Sequence, residues 1–333
     1  MKKTKVVCIG EALIDRIRNK SNKGFTNFLG GAPANVACAL RKLKIDSVFI
    51  GRLGNDDFGK KFLAQFNKLG VNFDFLQLDN ESSTRVVNVD RDQFGDRFFS
   101  GFESSSYSYY ADEALSKKLI ENEISKLESL FLETKYLVLG TISLSTPISA
   151  ETIFFLLEQA RKFQVKVIID LNWREVFWNN ASFSAAVSKP ARVKLIKNFL
   201  NHAHILKLAK EEAILFFEQE NPFLISQQML KKPDVIITDG KNPVSWYCNG
   251  FQGKTGIPDS QKKIIDTTGA GDAFLAGLIS KFISSGYPSD EFQIEDCIKF
   301  AIVCGLLTCL GEGAIEQQPN YEKVNKFLGS FIV

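Results

Sequence analysis

The sequence predicts an α/β fold in which helices cover a mainly parallel sheet. Short runs of apolar and β-branched residues recur along the chain, separated by longer segments with apolar residues at helical spacing. Strands that are apolar throughout are buried on both faces, as in parallel sheets with helical crossovers. The chain has 333 residues, of which 45% are hydrophobic and 24% charged, so it can bury a large core and is not disordered.

Six segments are predicted as strands of this sheet. They cover residues 5–10, 47–51, 136–140, 166–170, 204–208 and 234–239. Helical periodicity is clearest at residues 58–69, 150–163 and 274–283. Because no Gly/Ser-rich linker divides the chain, we expect a single domain over residues 1–333.

One region departs from the alternation of strands and helices. Residues 84–102 have a strand-like pattern with a turn at residues 92–95 and no helix between the halves, which predicts a β-hairpin. We expect this hairpin to pair with residues 13–28 in a small second sheet.

Composition excludes several partners. The net charge is only +3 and the lysines are scattered, so nucleic acid is not an expected partner. The longest apolar run, residues 301–310, is too short to span a bilayer. Six cysteines without a C-x-x-C pair favour a reducing cytoplasm. The only two histidines, His202 and His204, have no ligand cluster around them, so structural zinc is not expected.

The strongest functional signal is the segment Asp-Thr-Thr-Gly-Ala-Gly-Asp at residues 266–272, which follows a predicted short strand at residues 263–265 and opens a helix. Small residues let the backbone approach a ligand closely. The unpaired N–H groups and the dipole of a helix N-terminus attract a phosphate-type anion. Asp272 would then lie in the first turn, beside the phosphate, whereas a purely structural role would be a helix-capping acid.

Phosphoryl transfer to an alcohol would use a carboxylate at this place. Asp272 would accept the hydroxyl proton as the oxygen attacks the γ-phosphorus. We expect the helix dipole to make this carboxylate a weak base, so that the proton moves late in a loose transition state.

A second glycine-rich segment, Gly-Gly-Ala-Pro-Ala-Asn at residues 30–35, marks a tight junction between a loop and a helix that has Pro33 in its first turn. Asn35 can both donate and accept hydrogen bonds, which suits sugar hydroxyls. Asp15, after the first strand, could bind hydroxyls too. Each of these features alone is equally compatible with an ordinary turn or a surface residue.

Residues 54–61 imitate a P-loop without completing it. They match G-x-x-x-x-G-K, but the position that must be Ser or Thr to hold magnesium is Lys61. The segment is therefore predicted to be a turn and a helix start. The chain also lacks G-x-S-x-G and a G-x-G-x-x-G after the first strand, which disfavours a serine hydrolase and a nicotinamide oxidoreductase.

Taken together, the two glycine-rich segments resemble the two signatures of the PfkB-type, or ribokinase-like, carbohydrate kinases. Residues 10–15, 51–59, 140–144 and 170–174 agree with that family as well, and Asp-x-Asn-x-Arg with nearby Trp178 looks most like fructokinases. The resemblance implies a three-layer α/β/α sandwich with a mainly parallel sheet and a small β-sheet lid over the sugar. The lid would be formed by about residues 12–30 and 84–103.

The resemblance also implies roles for individual residues. Those acting on the transferred phosphate would be Asp272 as base, the amides of Gly269, Ala270 and Gly271 as anion hole, and Arg174 as a neutralising cation. Those holding the sugar would be Asp15, Gly30, Gly31 and Asn35. ATP would lie along Lys207, Thr238, Gly240, Ala301 and Gly305, with Mg²⁺ bridging its phosphates near Glu212. Relatives commonly bind a monovalent cation, for which the sequence indicates no position.

The expected activity is transfer of the γ-phosphate of ATP to a primary hydroxyl of a monosaccharide, with fructose as first candidate. Kinases of 2-keto-3-deoxygluconate, ribose or nucleosides are the alternatives within the family. A non-catalytic pseudo-kinase that binds sugar or a protein is the alternative outside it, because three positions depart from the family pattern: Ala209, Pro243 and Ile302. A homodimer through the lid is predicted from apolar residues at Val87, Val89, Phe98 and Phe102.

Overall fold

The fold is known from a computed structural model that describes residues 3–18, 24–91, 97–103, 109–179, 189–259 and 263–330. Within them the strands are β1 (Lys5–Ile9), β2 (Leu13–Arg18), β3 (Phe25–Gly30), β4 (Ser47–Ile50), β5 (Arg52–Gly54), β6 (Gln77–Asp79), β7 (Val86–Arg91), β8 (Arg97–Phe102), β9 (Thr134–Leu139), β10 (Lys166–Asp170), β11 (Ile205–Ala209), β12 (Asp234–Asp239), β13 (Asn242–Cys248) and β14 (Phe251–Thr255).

The helices lie between these strands and at the carboxyl end of the chain. They are α1 (Ala32–Lys42), α2 (Asp57–Leu69), α3 (Lys117–Glu121), α4 (Ile124–Glu133), α5 (Pro147–Lys162), α6 (Glu175–Asn179), α7 (Lys189–Leu200), α8 (Lys210–Phe217), α9 (Pro222–Gln228), α10 (Ala270–Ser284), α11 (Glu291–Thr308) and α12 (Tyr321–Gly329). In the described parts of the chain, no helix is long and apolar enough to span a membrane.

The central sheet has eight strands in the order β14-β13-β12-β11-β10-β9-β1-β4. All pairs from β4 to β12 are parallel, and the hairpin β13–β14 continues the sheet in antiparallel pairing. The six strands predicted from apolar runs are all present, with ends shifted by at most two residues. The predicted mainly parallel α/β fold is therefore confirmed.

Helices cover the sheet on both faces, as side-chain alternation along β1 shows. Val6 and Cys8 pack into the core under α1, α2, α10, α11 and α12. Val7 and Ile9 pack into a second core under α4, α5, α7, α8 and α9. Because successive side chains of a strand point to opposite faces, a strand placed between two helical layers must be apolar at nearly every position.

A second sheet of four strands, in the order β3-β2-β7-β8, forms the lid. β2 pairs antiparallel with β3 and parallel with β7, and β7 and β8 form the predicted hairpin. Its expected pairing with residues 13–28 is confirmed, while the turn predicted at residues 92–95 lies outside the described residues. β2 begins four residues after β1 ends, so the lid is attached at the carboxyl edge of the central sheet.

Three of the four apolar residues from which a lid dimer is predicted pack within their own protomer. Val87 is fully buried in the core, and Val89 is buried and lines the cavity described below. Phe102 stacks edge-on against Tyr110 and Phe177. The side chain of Phe98 lies outside the described residues. These positions were chosen for apolarity alone, and apolar side chains on a lid are also needed to pack it onto its own protomer.

The strand predicted at residues 263–265 is wrong. No strand forms there, and Ile265 donates a single backbone hydrogen bond to Cys309, at 2.9 Å. The two apolar residues of this triplet, Ile264 and Ile265, are both 44% exposed. The P-loop imitation is a turn and helix start, as predicted, because Asp56 caps α2 by accepting from the N–H of Gly59 at 2.8 Å.

Candidate active site

A cavity of about 310 Å³ lies between the lid and the carboxyl ends of the central strands. This edge of an open parallel sheet is where loops and helix N-termini from distant parts of the chain meet. Its lining comprises Glu11, Leu13, Asp15, Ile17, Gly31, Ala32, Asn35, Val89, Ile142, Asp170, Asn172, Arg174, Phe177, Lys207, Ala209, Glu212, Thr238, Thr267, Thr268, Gly269, Gly271 and Asp272. Both glycine-rich segments therefore border one cavity.

Asp272 lies in the first turn of α10 and faces the N-terminus of α1. Its Oδ2 accepts a hydrogen bond from the side-chain amide of Asn35 at 2.8 Å. The pKa of Asp272 is raised to about 6, chiefly by burial and further by the charge of Asp170. The Asn35 hydrogen bond, Lys207 and Arg174 act in the opposite direction. The expectation of a weak, dipole-stabilised base is thus wrong, because desolvation by burial is the largest influence on the pKa and raises it.

The loop before α10 forms an incomplete ring of backbone donors. Gly269 caps the helix at φ 76°, and a Cβ atom there would lie 2.5 Å from the Cβ of Ala314, so only glycine fits. Within the described residues, the N–H groups of Gly269 and Gly271 donate to no protein oxygen. Ala270 departs from the prediction, since its N–H donates to the carbonyl oxygen of Thr267 at 3.2 Å. This hydrogen bond closes the turn that orients the N–H groups of Gly269 and Gly271.

Lys207 provides a cation beside these amides. Its Nζ is 2.6 Å from Asp170 Oδ2, and both residues are buried. A Cβ atom on Gly271 would come within 3.2 Å of Nζ, so the glycine leaves room for the ammonium group. Burial lowers the pKa of Lys207, but Asp170, Glu212 and Asp272 more than offset this, and the net direction is upward. Lys207 therefore stays charged.

Glu212 holds the loop that carries Arg174. Its Oε1 accepts from the N–H of Trp173 at 2.6 Å, and its Oε2 accepts from that of Ala209 at 2.7 Å. Burial, followed by the charge of Asp170, raises its pKa. Asn172 just before has φ 42°, an uncommon left-handed conformation for a residue with a side chain. The carboxylate thus fixes a strained turn that points into the cavity.

The carboxylates here do not form a complete metal cage. No group of three or more His, Cys, Asp or Glu that could hold a metal occurs among the described residues. Glu212 is nonetheless a cavity-lining carboxylate with lone pairs left on both oxygens. Mg²⁺ usually takes one or two protein carboxylates and completes its shell with substrate phosphates and water. The donor set fits such an ion only when it arrives with a nucleotide.

The residues predicted to hold a sugar lie together on the lid side. Asp15 on β2 is 6% exposed and lines the cavity with Gly31 and Asn35. Gly30 does not line it but makes room, since a Cβ atom there would come 2.3 Å from Asp15 Oδ2. Asn35 serves Asp272 through its amide nitrogen, while its Oδ1 is buried without a hydrogen-bond partner in the described structure. That oxygen is available to a ligand hydroxyl.

The predicted nucleotide residues are only partly brought together. Thr238 and Lys207 line the cavity, whereas Gly240 is exposed in the turn after β12. Ala301 is fully buried on α11, where its Cα would be 3.0 Å from a Cβ atom on Gly277. A Cβ atom added to Gly305, also on α11, would lie 3.0 Å from the carbonyl oxygen of Ala270. These two small residues let α10 and α11 pack closely, and neither lines the cavity.

Five polar residues that were not predicted as site residues also line the cavity: Glu11, Asp170, Asn172, Thr267 and Thr268. Glu11 and Asp170 each end or follow a strand of the parallel sheet. That position is a usable signal, because the carboxyl ends of such strands converge on the ligand site.

Comparisons with known proteins agree over nearly the whole chain. The model for "pfkB family carbohydrate kinase" matches residues 3–320. A probable fructokinase-5 of Arabidopsis thaliana is 30% identical, covering 98% of this chain and 97% of the relative. A fructokinase of Salmonella typhimurium is 29% identical, with 97% and 98% covered.

Solved structures are also similar to this chain over nearly its whole length. A fructokinase with bound ATP from Xylella fastidiosa has a TM-score of 0.85 at 25% identity, with 99% of this chain and 100% of that chain covered. A fructokinase from Vibrio cholerae O395, in a fructose, ADP and calcium ion bound form, has a TM-score of 0.81 at 27% identity, with 98% and 99% covered.

Proposed function

This chain belongs to the pfkB family of carbohydrate kinases, and we propose that it transfers the γ-phosphate of ATP to a primary hydroxyl group of fructose. The enzyme is thus a phosphotransferase with an alcohol acceptor. One observation carries the assignment: Asp272, a carboxylate with a pKa of about 6, lies in the same helical turn as two backbone amides that have no protein partner in the described part of the chain. A base beside an anion cradle is what phosphoryl transfer to an alcohol requires.

The reaction follows from this arrangement. Asp15, Asn35 and the backbone at Gly31 would hold the sugar so that its primary hydroxyl faces Asp272. The N–H groups of Gly269 and Gly271 would bind the γ-phosphate in line with that hydroxyl. Asp272 would then take the proton as the new O–P bond forms, and the terminal bridge oxygen of ATP would leave on ADP. With a pKa near the working pH, the carboxylate is both ionised and basic enough to accept it.

Charge on the transferring group would be neutralised from two sides. Lys207, held beside Gly271, and Arg174, held by the Glu212-anchored loop, both line the cavity. Glu212 would also hold Mg²⁺ through its remaining lone pairs, and the ion would supply Lewis-acid stabilisation of the phosphates. Fixed cations of this kind act mostly by positioning and by stabilising the charge of the transition state.

ATP and a metal ion are proposed from the relatives. The Xylella fastidiosa fructokinase has bound ATP, and Vibrio cholerae fructokinase structures contain ADP with calcium or potassium ions. We therefore expect nucleotide and divalent-cation binding here, with Mg²⁺ as the working ion, and a monovalent cation in addition. At Ala209, one of the three departures from the family pattern, the backbone N–H donates a hydrogen bond to Glu212.

Fructose is proposed because named fructokinases dominate the curated relatives and the similar structures. The test is a panel of fructose, 2-keto-3-deoxygluconate, ribose and a nucleoside, with ADP release followed in a coupled assay. We expect the highest kcat/KM for fructose. A tenfold preference for another acceptor would replace fructose, and absence of any sugar-dependent ADP release would establish the pseudo-kinase alternative.

The remaining expectations stay proposals. We propose one kinase domain over residues 1–333 and a reducing compartment such as the cytoplasm, consistent with six cysteines that are all buried and free. The homodimer through the lid stays a prediction, although Val87, Val89 and Phe102 pack within their own protomer. Light scattering at micromolar concentration tests it, since a monomer mass would reject it.

A further inference from the structure

Glu11 is a buried acid for which the reaction described above has no role. It lies two residues after the end of β1 and is only 2% exposed. Its Oε1 accepts the N–H of Ala32, the first residue of α1, at 3.0 Å. Its Oε2 is buried and has no hydrogen-bond partner among the described residues. An unpaired polar atom in a protein interior is costly, so a ligand atom that pairs with it would remove that cost.

Two glycines build the place that Glu11 occupies. Gly10 has φ 144°, and a Cβ atom there would lie 2.7 Å from Pro33 Cγ. Gly31 has φ 96°, and a Cβ atom there would lie 2.6 Å from the backbone oxygen of Glu11. The loop after β1 and the start of α1 therefore pack backbone against backbone. Glu11 is clamped between them and cannot swing out to solvent.

The position of Glu11 connects it with the acceptor half of the cavity. It lines the cavity together with Asp15, Asn35 and Asp272. It also holds the first residue of the helix whose first turn carries Asn35, and Asn35 in turn donates to Asp272. Glu11 is thus close to the sugar side and outside the phosphate side formed by Gly269, Gly271 and Lys207.

We propose that Glu11 is a sugar-binding residue, in which Oε2 hydrogen-bonds a hydroxyl group of the acceptor while Oε1 holds the N-terminus of α1. The proposal rests on the proposed function, since it names a contact within that acceptor site. Glu11 acts as a neutral carboxylic acid there, because burial and the charges of Asp112 and Asp272 raise its pKa to about 8. Its Oε2 then donates, and a sugar hydroxyl oxygen accepts.

A neutral acid and an amide have the same hydrogen-bonding pattern, which makes the test sharp. Glu11→Gln keeps a carbonyl oxygen for the Ala32 N–H and an NH₂ donor for the sugar. Glu11→Met keeps the approximate volume but has neither. We expect E11Q to hold the KM for fructose within about threefold of wild type and E11M to raise it about tenfold, the usual effect of losing one hydrogen bond. The KM for ATP should stay unchanged in both variants.

Deoxy analogues separate a direct contact from a purely structural role. Fructose analogues that each lack one hydroxyl other than the phosphate acceptor are compared in wild type and E11M. For one analogue, the KM with wild type should be about tenfold higher than the KM for fructose. With E11M the KM for that analogue and for fructose should be equal, because the contact is already absent. An equal E11M effect on every analogue, or an unchanged fructose KM in E11M, would overturn the proposal.

The remaining outcomes are separated by two controls. Glu113→Gln alters another buried acid, 2% exposed and outside the cavity lining, and should affect stability without changing either KM. Unfolding in urea shows whether E11M is folded, and E11Q carries the test if it is not. Wild type that phosphorylates no sugar would refute the proposed function itself, whereas an active wild type with an insensitive E11M refutes only the role of Glu11.

Discussion

Replacing Asp272 with Asn should lower activity and raise stability together. The amide keeps an oxygen for the Asn35 side chain but cannot accept the substrate proton. General-base catalysis usually contributes a factor of about 10²–10⁴, so we expect kcat to fall by that range. The KM for fructose should change by less than about threefold, because the hydrogen bond to Asn35 and the shape of the cavity are retained.

The stability change follows from the pKa of Asp272, which burial raises to about 6 from the ordinary aspartate pKa of about 4. That difference in pKa corresponds to about 3 kcal/mol. The sign follows from proton binding: between pH 4 and 6 the folded protein binds the proton more tightly than the unfolded chain, so raising the pH through this window lowers stability. Above about pH 6, the ionised side chain of Asp272 destabilises the folded protein by the full amount.

Asp272 is partly exposed in the cavity, so solvent screening reduces the expected gain of D272N at pH 7 to about 1–2 kcal/mol. In a chain of 333 residues, this corresponds to roughly 2–3 °C in Tm. The gain should vanish near pH 3, below both pKa values, where the wild-type carboxyl is largely protonated in the folded and unfolded states. Urea unfolding at the two pH values measures it alongside the coupled kinase assay.

Two results would refute this reasoning. Near-normal turnover in D272N would remove the base from the mechanism. A variant that is less stable than wild type at pH 7 would show that the carboxylate is paired favourably in the fold, so that its role is structural.

The other predictions concern the acid limb, the phosphate side and the backbone. In wild type, log kcat/KM should fall with unit slope below about pH 6. N35A should move this limb up by about one pH unit, because the Asn35 hydrogen bond lowers the pKa of the catalytic carboxylate and its loss raises that pKa. An unmoved limb in a pH–rate profile would contradict this prediction. R174Q should lower kcat by about 10²–10³ in steady-state kinetics. R192Q changes a half-buried arginine outside the cavity lining and should leave kcat unchanged. G31A should destabilise the protein by about 1–3 kcal/mol in urea unfolding. The reason is that φ at Gly31 is 96° and the added Cβ atom would lie 2.6 Å from a backbone oxygen. G256A is the control, because a Cβ atom added there has no neighbour within 4 Å.

Much of the fold could be predicted from the sequence because the signals are local. A buried parallel strand must be apolar at nearly every position, and an amphipathic helix must repeat its apolar residues at 3.6-residue spacing. These patterns located six of the eight strands of the central sheet, the helix after Gly269 and the lid hairpin, but not the antiparallel pair β13 and β14. The failure at residues 263–265 has the same origin, since three residues are too few for a pattern to distinguish a strand from an extended loop.

The chemistry of the site was decided by contacts between distant parts of the chain. The residues 266–272 indicated an anion site and a carboxylate, but Asn35 meets Asp272 from 237 positions away. The pKa of Asp272 is set by burial together with this hydrogen bond and the charges of Asp170, Lys207 and Arg174, which packing brings close to it. The same holds for the pair of Lys207 and Asp170 and for the unpaired oxygen of Glu11. Local sequence determines which groups are present, whereas burial and neighbouring charge, which exist only after folding, determine their protonation and what they can bind.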